Sequence, residues 1–192
     1  MQLRDPFRPN RRGSLLAWLW LAMAMAVVPT TPAAEVHEDP AVLRLQALKA
    51  EIREDYPRVT HRSIDSLLAA PAAPLLVDVR SAAEYAVSHL PGARHLDDRD
   101  ALLALARANP DRTLLLYCSV GVRSSKAARW LKGQGVSNVA NLAGSIFEWH
   151  NRGLPLENAE GPTMQVHGYN RFWRSRYLRK PAARAATGEV NR

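Results

Sequence analysis

The sequence predicts an α/β domain built on a parallel β-sheet with helices on both faces. Three observations support this. The apolar runs Leu75–Val79, Leu114–Tyr117 and Val139–Leu142 are continuous, not alternating, as strands covered on both faces are. Segments that read as helices separate them, and Gly, Pro or polar clusters punctuate the joints. The 192 residues, 47% apolar, are enough for one domain core with a leader and a tail left over.

Taken in order, Ala41–Asp55 carries Val42, Leu45, Leu48 and Ile52 at helical spacing and is stopped by Pro57. Val59-Thr60 reads as a short strand and Ser63–Ala70 as a short helix, before a loop marked by Pro71 and Pro74. The run at Leu75 ends in Asp78-Val79-Arg80. Ser81–His89 follows as a helix, with Ser81 and Glu84 at capping-box spacing. Pro91-Gly92 turns into a brief strand at Ala93–Leu96. Asp100–Ala108 is a helix halted by Asn109-Pro110, with Asp97, Asp98 and Asp100 placing negative charge at its start. After the Leu114 strand, a glycine-containing loop enters a helix that reaches Lys132-Gly133. Val139–Leu142 is the last strand and Gly144–Asn151 a final short helix.

The net charge of +8 is carried by the two ends. Residues 1–12 hold +3 and residues 171–192 hold +6, leaving −1 for everything between. A nucleic-acid-binding domain concentrates charge on its folded body, so no nucleic-acid partner is expected. The N-terminus has the three parts of a secretory signal: Arg4 to Arg12, the uncharged run Leu15–Val28, and small residues through Ala33-Ala34. Export, with cleavage after Ala33 or Ala34 and a periplasmic destination, is the expectation. An uncleaved anchor is the alternative, although fourteen apolar residues are short of the roughly 20 that a membrane span needs.

Cys118 is the single cysteine. Cys118-Ser119-Val120-Gly121-Val122-Arg123-Ser124 lies between a buried strand and a helix, where parallel sheets bind ligands. Amides of a tight loop entering a helix form an anion nest, and Gly121 lets the loop curl. Arg123 adds a permanent charge whose planar fork suits sulfonate or phosphate oxygens. A thiol facing this loop is expected to titrate below its ordinary value and act as a nucleophile.

The same residues resemble the rhodanese family. Cys118–Ser124 is similar to its C-x-x-G-x-R-S loop. Asp78-Val79-Arg80, Glu84-Tyr85 and His89-Leu90-Pro91-Gly92-Ala93 resemble its upstream signature, and Asn141-Leu142-Ala143-Gly144-Ser145-Ile146 with Trp149 and Gly153-Leu154-Pro155 its downstream one. Ser88 and Ser145 stand where the family usually has Gly. The resemblance covers about residues 58–157. It implies a five-stranded parallel sheet and sulfur transfer through a persulfide on Cys118, held by amides of Ser119, Val120, Gly121, Val122 and Arg123. It implies a small anionic donor such as thiosulfate, drawn in by Arg123, and a thiol, cyanide or protein acceptor. Asp78, Arg80, Glu84 and His89 match family positions and read as structural, with an Arg80–Glu84 ion pair expected at the helix start. Related phosphatases have five residues between Cys and Arg; here four intervene, which disfavours phosphate chemistry. A sulfur-carrying or docking module without turnover is the other alternative.

The expected organisation is therefore a signal peptide at 1–34, a helical extension at 35–57, the domain at 58–157, a basic aromatic helical segment at 158–180 and a disordered tail at 181–192. No cofactor is called for, and the six histidines show no metal-ligand spacing. In the basic segment Tyr169, Phe172, Trp173 and Tyr177 are expected on one helical face, docked on the domain or in peripheral contact with an anionic membrane surface.

Overall fold

Five parallel strands form the main sheet of the computed structural model, which describes residues 38–179. The leader expected at 1–34 and the tail expected at 181–192 lie outside the described residues. The strands are β1 (Thr60–Arg62), β2 (Leu75–Asp78), β3 (Arg94–His95), β4 (Leu114–Tyr117) and β5 (Val139–Leu142), in the order β1-β5-β4-β2-β3. Every neighbouring pair is parallel, with Asp78 beside Tyr117. The carboxyl ends of β2 and β4 therefore finish together. Cys118 emerges at the middle of that edge.

The helices are α1 (Pro40–Asp55), α2 (Ile64–Leu68), α3 (Ala82–Val87), α4 (Arg99–Ala108), α5 (Val122–Gly133), α6 (Ser145–Asn151) and α7 (Arg171–Tyr177). Asp39 starts α1 by accepting the Ala41 N–H at 2.8 Å, with Pro40 in the first turn, where its missing N–H costs nothing. The capping box at Ser81 and Glu84 forms as the spacing predicts. Alternate residues of β4 feed two cores. Leu115 and Tyr117 join Ile64, Ile146, Phe147 and Trp149 on one face; Leu114 and Leu116 join Leu102, Ala128 and Leu131 on the other. Each buried leucine contributes about 1.5–3 kcal/mol. Double-sided burial is the reason β4 reads as an unbroken apolar run.

Three features depart from the sequence expectations. Arg80 does not pair with Glu84. Its side chain, 0% exposed, binds Asp78, with Nε on Oδ1 at 2.9 Å and Nη2 on Oδ2 at 2.7 Å, and Nη2 also donates to the Ser88 carbonyl at 2.6 Å. Two residues along a strand end bring the fork back on its neighbour, while Glu84 pairs with Arg123.

Second, a hairpin that no sequence signal announces, β6 (Leu156–Asn158) and β7 (Gly161–Thr163), follows α6. It is anchored by paired backbone bonds between His89 and Glu157 at 2.8 and 3.0 Å, and by the Gly92 N–H on the Glu157 carboxylate at 2.8 Å. Third, helix in the C-terminal segment is confined to α7, which divides the four aromatics. Trp173 and Tyr177 stack at 5.1 Å, with Tyr177 buried, while Phe172 is 60% exposed. Tyr169 precedes the cap residue Asn170 and lies outside the helix. Among the described residues no helix is long and apolar enough to cross a membrane.

Candidate active site

The loop after β4 is shorter than its sequence implies, because α5 already begins at Val122. Gly121 is the residue before the helix, at φ 115°, a conformation that side chains resist. It offers no side chain to cap the exposed helix amides. The sulfur lies there instead: the Gly121 N–H donates to Cys118 Sγ at 3.2 Å, and the Ser124 N–H favours negative charge on it. The positive end of α5 therefore faces the thiol.

Cys118 is 1% exposed. Burial pushes its thiol up, but the Ser124 hydroxyl, the Arg123 charge and the Ser124 and Gly121 amides together outweigh burial, and the net shift is downward. A downward shift favours the thiolate, the form in which cysteine attacks. Ser124 belongs to this site, and its place beside the sulfur is not legible in the sequence. Its hydroxyl lies 3.5 Å from Sγ and 2.6 Å from Asn141 Oδ1. Asn141 Nδ2 in turn lies 3.1 Å from His61 Nδ1, and His61 Nε2 lies 3.2 Å from the Tyr56 carbonyl. A carbonyl only accepts, so Nε2 carries the proton and Nδ1 accepts from Asn141. Asn141 is then fixed with its oxygen toward Ser124, whose single hydroxyl proton goes either to that oxygen at 2.6 Å or to the sulfur at 3.5 Å.

The other loop residues divide by task. The Ser119 hydroxyl donates to Glu84 Oε1 at 3.2 Å and accepts from Arg123 Nη2 at 3.0 Å. Val120 packs into the core and Val122 is half-buried against it. The Arg123 fork closes on Glu84, with Nη1 on Oε2 at 2.8 Å and Nη2 on Oε1 at 2.7 Å. Tyr169 lies across the guanidinium, its ring centre 5.0 Å from Cζ. Glu84 therefore unites three jobs: capping α3, holding Ser119 and orienting Arg123.

Burial pushes the Glu84 carboxyl up, but Arg123 and the Ser81 N–H outweigh it and hold it at about 2. A carboxyl lowered on folding contributes stability above its unfolded value and loses it as pH falls through the folded one. The protein is expected to exceed Glu84→Gln in stability by about 1–2 kcal/mol at neutral pH, allowing for screening at the partly exposed Arg123. Urea titrations at several pH values check the sign: the gap narrows below the ordinary carboxyl value of 4.5 and closes near about 2. A gap constant across that window would show that Glu84 acts without its charge.

Ser145 explains one departure from the family pattern. It sits at φ 51°, in the left-handed region where glycine is at ease. In return its hydroxyl accepts the Cys118 N–H at 3.2 Å and donates to the Leu142 carbonyl at 3.0 Å, tying Cys118 to β5. The Ile146 and Phe147 N–H groups bind the Cys118 and Ser119 carbonyls at 3.2 and 3.0 Å, so the start of α6 fixes the same loop. Ser145→Ala is expected to cost about 1–3 kcal/mol, because it orphans a buried N–H while keeping the strained backbone. Ser145→Gly loses the same bond but relieves about 1–2 kcal/mol of strain, and is expected to melt above the alanine variant. The reverse order in thermal melts would refute the clamp.

A sequence profile described as "Rhodanese-like domain" matches residues 60–152. Over 87 residues the chain is 38% identical to a "Sulfurtransferase" of Allochromatium vinosum, covering 45% of this chain and 81% of that protein. It is 39% identical over 87 residues to the "Thiosulfate sulfurtransferase GlpE" of Pseudomonas putida, 45% of this chain and 78% of that one. Among solved structures, thiosulfate sulfurtransferase from Pseudomonas aeruginosa superposes with a TM-score of 0.49 at 23% identity, covering 72% of this chain and 27% of that one.

Proposed function

The chain belongs to the rhodanese-like domain family, and on that premise we propose that it moves sulfane sulfur from thiosulfate or a similar small anionic donor to an acceptor through a persulfide on Cys118. In the first step the Cys118 thiolate attacks the outer sulfur of thiosulfate. The S–S bond of the donor breaks, sulfite leaves with the electron pair, and Cys118–S–S⁻ remains. In the second, an acceptor takes the outer sulfur and Cys118 returns as thiolate. This is covalent catalysis of the ping-pong kind.

The observation that carries the reading is the Gly121 N–H aimed at Cys118 Sγ at 3.2 Å from the amino end of α5. Such donors stabilise negative charge on sulfur, in the thiolate and in the persulfide that replaces it. Arg123 contributes charge from the rim while Glu84 keeps it in place. The leader-like residues 1–34 support an exported, periplasmic site of action.

Intact-mass spectrometry after thiosulfate treatment tests the reading. A gain of about 32 Da, one sulfur atom, that is lost on adding a thiol is expected. No gain in fully reduced protein would overturn it. One observation favours the sulfur-carrier alternative, the recessed Cys118 at 1% exposure. Loading without discharge to any thiol would select it.

A further inference from the structure

We propose that a groove framed by the C-terminal extension is the acceptor subsite of the Cys118 reaction, and that it selects a small anionic thiol of di- or tripeptide size. The inference rests on the persulfide reading; what it adds is a location outside the matched domain and the charge of the acceptor.

The groove encloses about 990 Å³ between Val87, at the end of α3, and residues 164–179. That volume is at the upper end for small-molecule sites, roomy for a short peptide. Arg171 and Arg174 line it and are exposed, and none of its lining residues is acidic. Arginine forks suit carboxylates, which they grip by two parallel hydrogen bonds. Val87 and Leu178 give the same groove an apolar side. The occupant that fits is an organic anion with carboxylates at its ends and a less polar middle.

One contact links this groove to the Cys118 loop, through Arg123, which Glu84 holds from α3. Tyr169 lines the groove, and its ring lies across that same arginine at 5.0 Å. The tyrosine holds a left-handed backbone, φ 61°, rare for a residue with a side chain, while its N–H donates to His167 Nδ1 at 3.1 Å. Strained residues of this sort cluster at binding sites. Tyr169 is 51% exposed and stands where groove and loop meet.

The step balances without any further reagent. The acceptor thiolate attacks the outer sulfur of the Cys118 persulfide, and the S–S bond breaks. Its electron pair returns to Sγ, giving the Cys118 thiolate, while the acceptor departs as its own persulfide. Cationic side chains in the groove raise the local concentration of an anionic thiol and lower that of a cationic one.

The test separates loading from discharge in the purified full chain. Persulfide is loaded with thiosulfate, counted by intact mass, freed of donor, and discharged with glutathione, 2-mercaptoethanol or cysteamine at matched thiolate concentrations. Glutathione is expected to discharge the persulfide at least about tenfold faster than 2-mercaptoethanol, with cysteamine slowest. Added salt is expected to narrow the spread. The Arg171→Gln, Arg174→Gln double variant is expected to load normally and lose the preference, and the corresponding Arg→Lys pair to keep most of it. Equal rates for the three thiols in the unaltered protein, or a preference untouched in the glutamine variant, would overturn the subsite while leaving the persulfide standing. Failure to load would overturn both.

Discussion

Cys118→Ser is expected to reduce thiosulfate-dependent sulfur transfer by about 10³-fold or more, to the level of the uncatalysed reaction. A serine hydroxyl is not ionised in this loop at neutral pH, and its oxygen forms no persulfide. The fold is expected to survive, since a hydroxyl can accept the Gly121 N–H that the sulfur now takes at 3.2 Å. Circular dichroism and thermal melting establish that the variant is folded before turnover is measured. The same variant is expected to gain no sulfur in the mass experiment. Retained turnover would exclude Cys118 as the nucleophile.

Asp78→Asn is expected to produce the largest loss of stability, about 3–5 kcal/mol. It leaves the Arg80 guanidinium, which has no exposed surface, without its counter-charge. The consequence reaches the active site by a short route. Asp78 lies beside Tyr117 across the sheet, and Cys118 is the next residue. The Tyr117 hydroxyl accepts the Leu90 N–H at 3.1 Å, linking the same region to the segment after α3. Denaturant unfolding of Asp78→Asn, and of a double variant that replaces Asp78 and Arg80 with leucine and methionine, separates the two contributions. The double variant is expected to recover part of the loss, because an apolar pair has no charge left to bury. A single variant within about 1 kcal/mol of the original protein would show that Arg80 finds other partners.

Much of the architecture was legible along the chain, and the reason is local. Leu114–Tyr117 is apolar without interruption because both its faces are covered. The capping box at Ser81 and Glu84 is set by spacing of three residues, and forms. The β6–β7 hairpin was not legible. Its strands have three residues each, one contains Pro162, and its anchor is His89, far back in the chain. No local periodicity announces such a pairing.

The site divides along the same line. Cys118, Gly121 and Arg123 stand within six residues, and a strand–loop–helix joint needs only neighbours to form. That stretch of sequence determined where Cys118 stands and why the amino end of a helix faces it. Tertiary structure alone decided what surrounds it. Glu84 meets Arg123 across 39 residues, Asn141 meets Ser124 across 17 and Ser145 meets Cys118 across 27. Arginines occur in plenty in this chain, and nothing in their order says which one a given carboxylate will hold. Burial makes that choice. A charged group removed from water is tolerated only beside the partner that the packed strands and helices bring to it, so the partners are set once the sheet has closed.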